Sequence, residues 1–219
     1  MNDYTTTDLS ELKRRFEDQA RQIEGMSIDL GTYEEAKKDP WVPILVGSGR
    51  LDSNVGFFGR DPGRDEVRKG DLFVGPAGER IVRQMTELDL KRVNFFWANT
   101  VPYKPIGNKP WPVRIKRAFR ALNVELIEAW HGSDLITFGN HAFFWFGIDS
   151  VETRQKLSEY WKGGSIEDRY TGTTNIICGE KKKTIRLHPL PHPSGLNTKY
   201  GKYFDGWLKQ RLEQLSDRM

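Results

Sequence analysis

Apolar positions along the chain follow two alternating patterns. Four short runs have the character of strands: Val55 to Phe58, Asn94 to Ala98, Leu135 to Phe138 and Thr184 to Leu187. Between them apolar residues recur at helical spacing: Ile81, Val82, Met85 and Leu88, then Ile115, Phe119, Leu122 and Leu126, then Ala142 to Phe146 and Val151 to Trp161. Strand alternating with helix predicts an α/β fold in which a parallel sheet carries helices on both faces. Ahead of this array, Leu9, Leu12, Phe16 and Ile23 predict an amphipathic helix opened by Asp8 and Glu11 as a capping box, and residues 40 to 54 read as an irregular approach segment. A last stripe of Phe204, Trp207, Leu208, Leu212 and Leu215 reads as a helix packed on the core.

Length adds that 219 residues fit one domain, residues 1–219, with a helical segment over 1–40 packed on it. Thirty-four basic against 30 acidic residues give a net charge of +4, which permits a local polyanion-binding patch without requiring one. The single cysteine, Cys178, excludes a disulfide framework or a four-thiolate metal centre built from this chain alone. Neither a signal sequence nor an apolar run of membrane length is visible, so an intracellular protein with no membrane partner is expected, a monomer by default. Seven Trp and twelve Phe read as core filling and carry no functional weight.

Open parallel sheets bind ligands beyond the carboxyl ends of their strands. The residues that follow the first, second and fourth runs are Gly59-Arg60-Asp61-Pro62-Gly63, Asn99-Thr100-Val101-Pro102-Tyr103 and Pro191-His192-Pro193-Ser194-Gly195-Leu196. Each offers a polar side chain held by Pro or Gly. Gly139-Asn140-His141, after the third run, says little by itself.

In this order the loops resemble the uracil-DNA glycosylase superfamily. Its first motif takes forms such as G-Q-D-P-Y-H or G-E-A-P-G and stands here as GRDPG (59 to 63); its last, H-P-S-P-L, stands as HPSGL (192 to 196). LFVGPAG (72 to 78) and ANTVPYKPIGN (98 to 108) resemble segments of the iron-sulfur branch. One such motif is weak and four in register are strong. The resemblance covers about Val46 to Tyr203 and implies a three-layer αβα fold around a central four-stranded parallel sheet, a partner in DNA and no cofactor.

Roles follow from that resemblance together with the chemistry. Breaking an N-glycosidic bond leaves a cationic sugar and an anionic base, and both charges need stabilising. The resemblance makes Asp61 the residue that positions water and supports the sugar; the alternative is a turn cap before Pro62. His192 would donate to the base O2, whereas His188 reads as a satisfied core histidine. Asn99 offers a donor and an acceptor side by side, matching the edge of uracil, although Asn is also a common turn former after a strand. Phe73 would stack on the base, with plain burial as its alternative. Gly59 and Gly63 complete the base site, and Gly63 replaces a tyrosine that excludes thymine in strict uracil enzymes. Base extrusion needs a wedge and a backbone grip: Leu196 for the first, Ser194, Gly195, Lys199 and Lys202 for the second, with Arg64, Arg68 and Lys69 as further candidates.

The chain departs from the iron-sulfur branch at its cysteines. Tyr103 stands at one cysteine position and the region of Arg117 and Ala118 lacks the next, so ordinary packing by Tyr103, Trp111 and Pro105, Pro110 and Pro112 is expected to hold the loop. The expected function is a DNA glycosylase for uracil or a 5-modified base. The alternatives are a catalytically altered DNA-binding module and a glycosidic enzyme for another modified base or nucleotide.

Overall fold

All four apolar runs are strands of one sheet, and the sheet has two more. In the computed structural model, which describes residues 6–44, 48–195 and 197–218, the strands are β1 (Ser48–Gly49), β2 (Val55–Gly59), β3 (Phe96–Asn99), β4 (Asp134–Phe138), β5 (Thr174–Cys178) and β6 (Lys183–Leu190). Their order is β1-β3-β2-β4-β6-β5. The middle four are mutually parallel, and β1 and β5 close the edges antiparallel. The expected parallel quartet is therefore present inside a six-stranded sheet.

The edge strands escape the sequence pattern for physical reasons. β1 pairs over two residues, too short for periodicity. Along β5, Thr174, Ile176 and Cys178 are buried while Asn175 and Ile177 are exposed, the alternation of a strand solvated on one face. β2 and β4, in the sheet interior, are buried at every position.

Helices cover both faces. They are α1 (Thr6–Gln22), α2 (Leu30–Glu35), α3 (Arg64–Lys69), α4 (Pro76–Thr86), α5 (Val113–Ala118), α6 (Arg120–Ala129), α7 (Gly139–Trp145), α8 (Val151–Lys162), α9 (Ile166–Thr171) and α10 (Gly201–Leu215). On one face Phe57 stacks against Trp97 and Phe138, and Phe138 meets Phe204 of α10. Phe58 points the other way, onto Trp145 of α7 and Phe146. α1 begins at Thr6, two residues before Asp8, so Asp8 does not hold the N-cap position expected of it. Leu12, Phe16 and Ala20 are the residues α1 buries.

His188 lies within β6 and is buried, its Nε2 2.8 Å from Asp134 Oδ1. Arg186 and Arg218 also contact that carboxylate, at 3.3 and 3.0 Å. Burial pushes the Asp134 pKa up, but the hydrogen bond with His188, followed by the Arg186 and Arg218 guanidiniums, outweighs it and holds the pKa below the ordinary value.

The loop after β3 is anchored by the N-terminal segment. The Tyr103 hydroxyl donates to the carbonyls of Trp41 (2.9 Å) and Phe16 (3.2 Å), its ring tilts on Phe119, and Trp111 Nε1 donates to the Tyr103 carbonyl at 2.9 Å. Ile44 N and Asp29 N donate to the carbonyls of Pro102 and Lys104. Tyr103→Phe removes the donor from two buried carbonyls while keeping the ring. It is expected to lower stability in urea unfolding by about 1 kcal/mol, and Tyr103→Ala by about 3 kcal/mol or more. Equal losses from the two would show that the ring contributes nothing.

Candidate active site

The parallel strands end along one rim, and the polar residues that follow them line a cavity of about 910 Å³. Gly59, Arg60, Asp61 and Gly63 come from the end of β2, Asn99 from β3, His192 and Ser194 from the loop after β6, and Phe73 from the loop before α4. Of the residues singled out in the sequence, Asp61, His192, Gly59, Gly63, Phe73, Asn99, Ser194, Gly195 and Arg64 all line it. Lys199, Lys202, Arg68 and Lys69 do not, and Leu196 lies outside the described residues. Lys69 is turned to another use, donating to the Val74 carbonyl at 3.0 Å.

Asp61 is almost sealed from water, its side chain 2 % exposed, and Arg60 Nε donates to its Oδ1 at 2.7 Å. Burial pushes the carboxyl up to about 6, against the opposing pull of Arg60, Lys116 and Lys104. At neutral pH it is ionised. Arg60 also donates through Nη2 to the Asn108 carbonyl at 2.9 Å, which ties the β2 and β3 loops together over the aspartate. Beneath this fork the Thr100 hydroxyl donates to the Arg60 carbonyl, and Asn123 Nδ2 donates to the Thr100 carbonyl at 2.8 Å.

His192 has the opposite electrostatic character. Burial, reinforced by the charges of Arg60 and His141, holds its pKa down at about 4, so the ring is neutral at physiological pH. The Ser194 amide donates to Nδ1 at 3.2 Å, which leaves the ring proton on Nε2. Asn197 steadies the loop by donating to the His192 carbonyl at 3.1 Å. The Asn99 amide is buried and has no hydrogen-bond partner among the described residues.

Gly59 is required by what surrounds it. A Cβ there would lie 2.4 Å from Asn99 Oδ1 and 2.5 Å from Phe73 Cζ, so only glycine lets the amide and the ring edge stand side by side. Phe73 is half-buried, touches Trp97 and Phe138, and has a left-handed backbone (φ 51°). Its carbonyl presses on Gly78 of α4, where a Cβ would lie 1.7 Å from the oxygen. At Gly63 the Cβ direction meets Glu66 Oε2 at 2.7 Å, so the space beside this glycine is bounded by a carboxylate.

Four residues that sequence reasoning passed over help to build the site. Glu66 accepts the amides of Gly63 (2.9 Å), Val74 (3.1 Å) and Gly75 (3.0 Å), joining the Asp61 loop to the Phe73 loop. Arg80 on α4 donates to Asp205 (2.6 Å) and to the carbonyls of Gly201 (2.6 Å) and Pro193 (3.4 Å), fixing the His192 loop. Lys104, 3 % exposed, is satisfied by Asp29, Pro105 and Asn108. Lys116, 5 % exposed, has no hydrogen bond or ion pair among the described residues, and the charges it interacts with are those of Asp61 and Arg60. A Glu three residues after a helix-opening glycine was a readable capping signal for Glu66. Nothing local marks the other three.

A carboxylate, an imidazole and an amide thus line one cavity at the strand ends of a three-layer α/β scaffold. The family profile described as the uracil DNA glycosylase superfamily matches residues 46–216, and the chain belongs to that superfamily. It is similar to type-4 uracil-DNA glycosylases from Archaeoglobus fulgidus (30 % identical over 117 residues, 52 % of this chain and 57 % of that one) and Thermotoga maritima (33 % over 66 residues, 30 % and 34 %). A third relative of the same name, from Sulfurisphaera tokodaii, is 26 % identical over 152 residues, 68 % of this chain and 64 % of its own. The matched stretches thus span between about a third and two thirds of these relatives.

An iron-sulfur cluster does not fit this chain. Tyr103, which the resemblance sets at a cysteine position, is a fully buried phenol committed to two backbone carbonyls, and the lone Cys178 is buried in the edge strand β5. No helix among the described residues is long and apolar enough to cross a membrane.

The electrostatics of Asp61 set a stability test. The group titrates at its ordinary 3.8 when unfolded and at about 6 when folded. Its ionisation therefore costs the fold nothing below about pH 4 and the full penalty above about pH 6, on the order of 3 kcal/mol. Asp61→Asn is expected to raise the melting temperature by several degrees near neutral pH and to leave it unchanged near pH 4. An unchanged or lower melting temperature at neutral pH would contradict this electrostatic assignment.

Proposed function

We propose that the protein hydrolyses the N-glycosidic bond of uracil, or of a deaminated or 5-modified base, in DNA. The observation that carries this reading is the pairing of an ionised Asp61 with a neutral, Nε2-protonated His192 in the lining of one cavity.

Extrusion of the target nucleotide would bring its base into the cavity, since the reacting bond is inaccessible inside a duplex. Asn99 then offers its free amide to the O4 and N3–H edge, and Phe73 offers its ring to the base face. As the C1′–N bond breaks, its electron pair goes to the base, and His192 Nε2–H donates to O2 where the negative charge gathers. Asp61 supports the developing positive charge on the sugar and orients the water that adds to C1′, accepting the proton that water loses. Arg60 keeps that carboxylate ionised in a buried setting. Protonated imidazole is unnecessary here, and burial disfavours it.

The resemblance to type-4 uracil-DNA glycosylases supports uracil as the first base to test. Gly63 in place of a bulky side chain supports adding 5-substituted bases. Ser194 and Gly195, which line the cavity, are the proposed phosphate grip.

Base release from oligonucleotides carrying uracil, 5-hydroxymethyluracil, hypoxanthine or xanthine, read as alkali-cleavable sites, tests the proposal. Intact strands across all four would overturn it. Under single-turnover conditions Asp61→Asn and His192→Ala are each expected to slow release at least about tenfold, and His188→Gln to leave it unchanged. Equal loss from all three folded variants would mean that the roles are misassigned. The wild-type rate should also fall on the acid side of about pH 6, as Asp61 takes up a proton. A rate independent of pH between 5 and 8 would remove Asp61 from the chemistry.

A further inference from the structure

Three cations act on Asp61 among the described residues, and they differ in what else they hold. Arg60 touches the carboxylate through Nε and commits Nη2 to the Asn108 carbonyl. Lys104 is matched by Asp29 at 2.9 Å and donates to Pro105 and Asn108 as well. Lys116 is buried with neither an ion pair nor a hydrogen bond among the described residues. Lysines are almost never buried unless paired, because an ammonium taken out of water loses its hydration and regains it only from an anion or an acceptor.

The helix that carries Lys116 makes the burial more pointed. Of the basic residues on α5, Arg114 and Arg117 face outward, to the Glu24 carbonyl and to Asp149, whereas Lys116 is turned inward beside the buried Ile115. An apolar side chain would fill that place without giving up hydration. The charged groups that face Lys116 from other elements are Arg60 and Asp61 at the end of β2 and His141 on α7, so its opposite charge is Asp61. On the aspartate, Arg60 holds Oδ1, and Oδ2 accepts no hydrogen bond among the described residues. A hydrogen bond works only in contact and takes up a lone pair. Coulomb attraction in a dry setting reaches further and takes up none.

We propose that Lys116 is a positioning residue of this site: its unpaired ammonium is the remote counter-charge of Asp61, and it favours the carboxylate anion while leaving Oδ2 open to the attacking water. Arg60 alone would balance the charge only by covering an oxygen. Lys116 adds a field without a contact, so one oxygen is held and the other stays available. Removing the ammonium takes away a charge that favours the anion. Asp61 then takes up its proton at a higher pH, and the reaction it supports fails earlier on the acid side. The part played in base release rests on the glycosylase reading; the coupling of Lys116 to Asp61 does not.

Two variants of the full-length protein test this: Lys116→Met, which keeps the length and removes the charge, and Lys116→Gln, which keeps a polar tip. The Asp61 carboxyl is titrated by NMR in each, and single-turnover base release from a uracil-containing oligonucleotide is followed between pH 5 and 9. Both variants are expected to move the Asp61 titration up by about one pH unit. With that shift, release should slow about fivefold at pH 6 and less than about twofold at pH 8. An Asp61 titration that stays in place in both variants would overturn the proposal. So would a rate lowered by the same factor at pH 6 and pH 8, the mark of a lysine that only packs. A shifted Asp61 in a protein that releases no base removes the catalytic reading and leaves the coupling standing; base release with an unshifted Asp61 sinks this inference alone.

Discussion

The structure depends on keeping a charged carboxylate where water is nearly absent. Asp61 is buried at the end of a central strand, and burial alone would neutralise it. Arg60, the next residue back, lies against it and reaches on to the Asn108 carbonyl, so one guanidinium both offsets the charge and closes the loops over it. Removing solvent from such a pair strengthens every remaining interaction with it. The same dryness acts on His192 in the opposite sense and holds the imidazole neutral. One cavity thus carries both an anion and a neutral imidazole in its lining, the two states that the proposed reaction calls for.

Loops hold such a pair in register only if they are fixed to one another, and here carboxylates and guanidiniums acting on backbone groups do it. Glu66 gathers three amides from two loops. Arg80 reaches from α4 to the carbonyls that flank the His192 loop. An aromatic cluster of Tyr103, Phe16, Phe119 and Trp111 packs the loop after β3 against α1. The N-terminal segment, outside the stretch that matches the family profile, is therefore part of what supports the rim.

Much of this was legible in the residues. β2, β3 and β4 are buried at every position and so appear as short, mostly apolar runs, and the loops after β2, β3 and β6 display their polar residues between Pro and Gly. Asp61, His192 and Asn99 could be found that way and Phe73 through the family resemblance, and all four line one cavity. β5 was not legible, because an edge strand buries only alternate residues and its run is brief. Arg60 was visible only as a departure from a motif; its reach to Asn108 spans 48 positions and exists only in the fold. Arg80 and Lys116 sit on helices as ordinary basic residues, and only their surroundings set them apart. Trp207 fell on the apolar stripe of α10 and read as core, yet it is half-exposed, because the stripe turns outward where it meets Tyr203.

The central claim is that the two groups hold complementary protonation states in one pocket. Heteronuclear NMR on protein labelled in Asp and His carboxyl and ring positions reads both directly. The Asp61 carboxyl is expected to titrate near pH 6, and His192 to remain neutral, with its proton on Nε2, down to about pH 5. An Asp61 that titrates below pH 4, or a His192 that carries its proton on Nδ1, would contradict it.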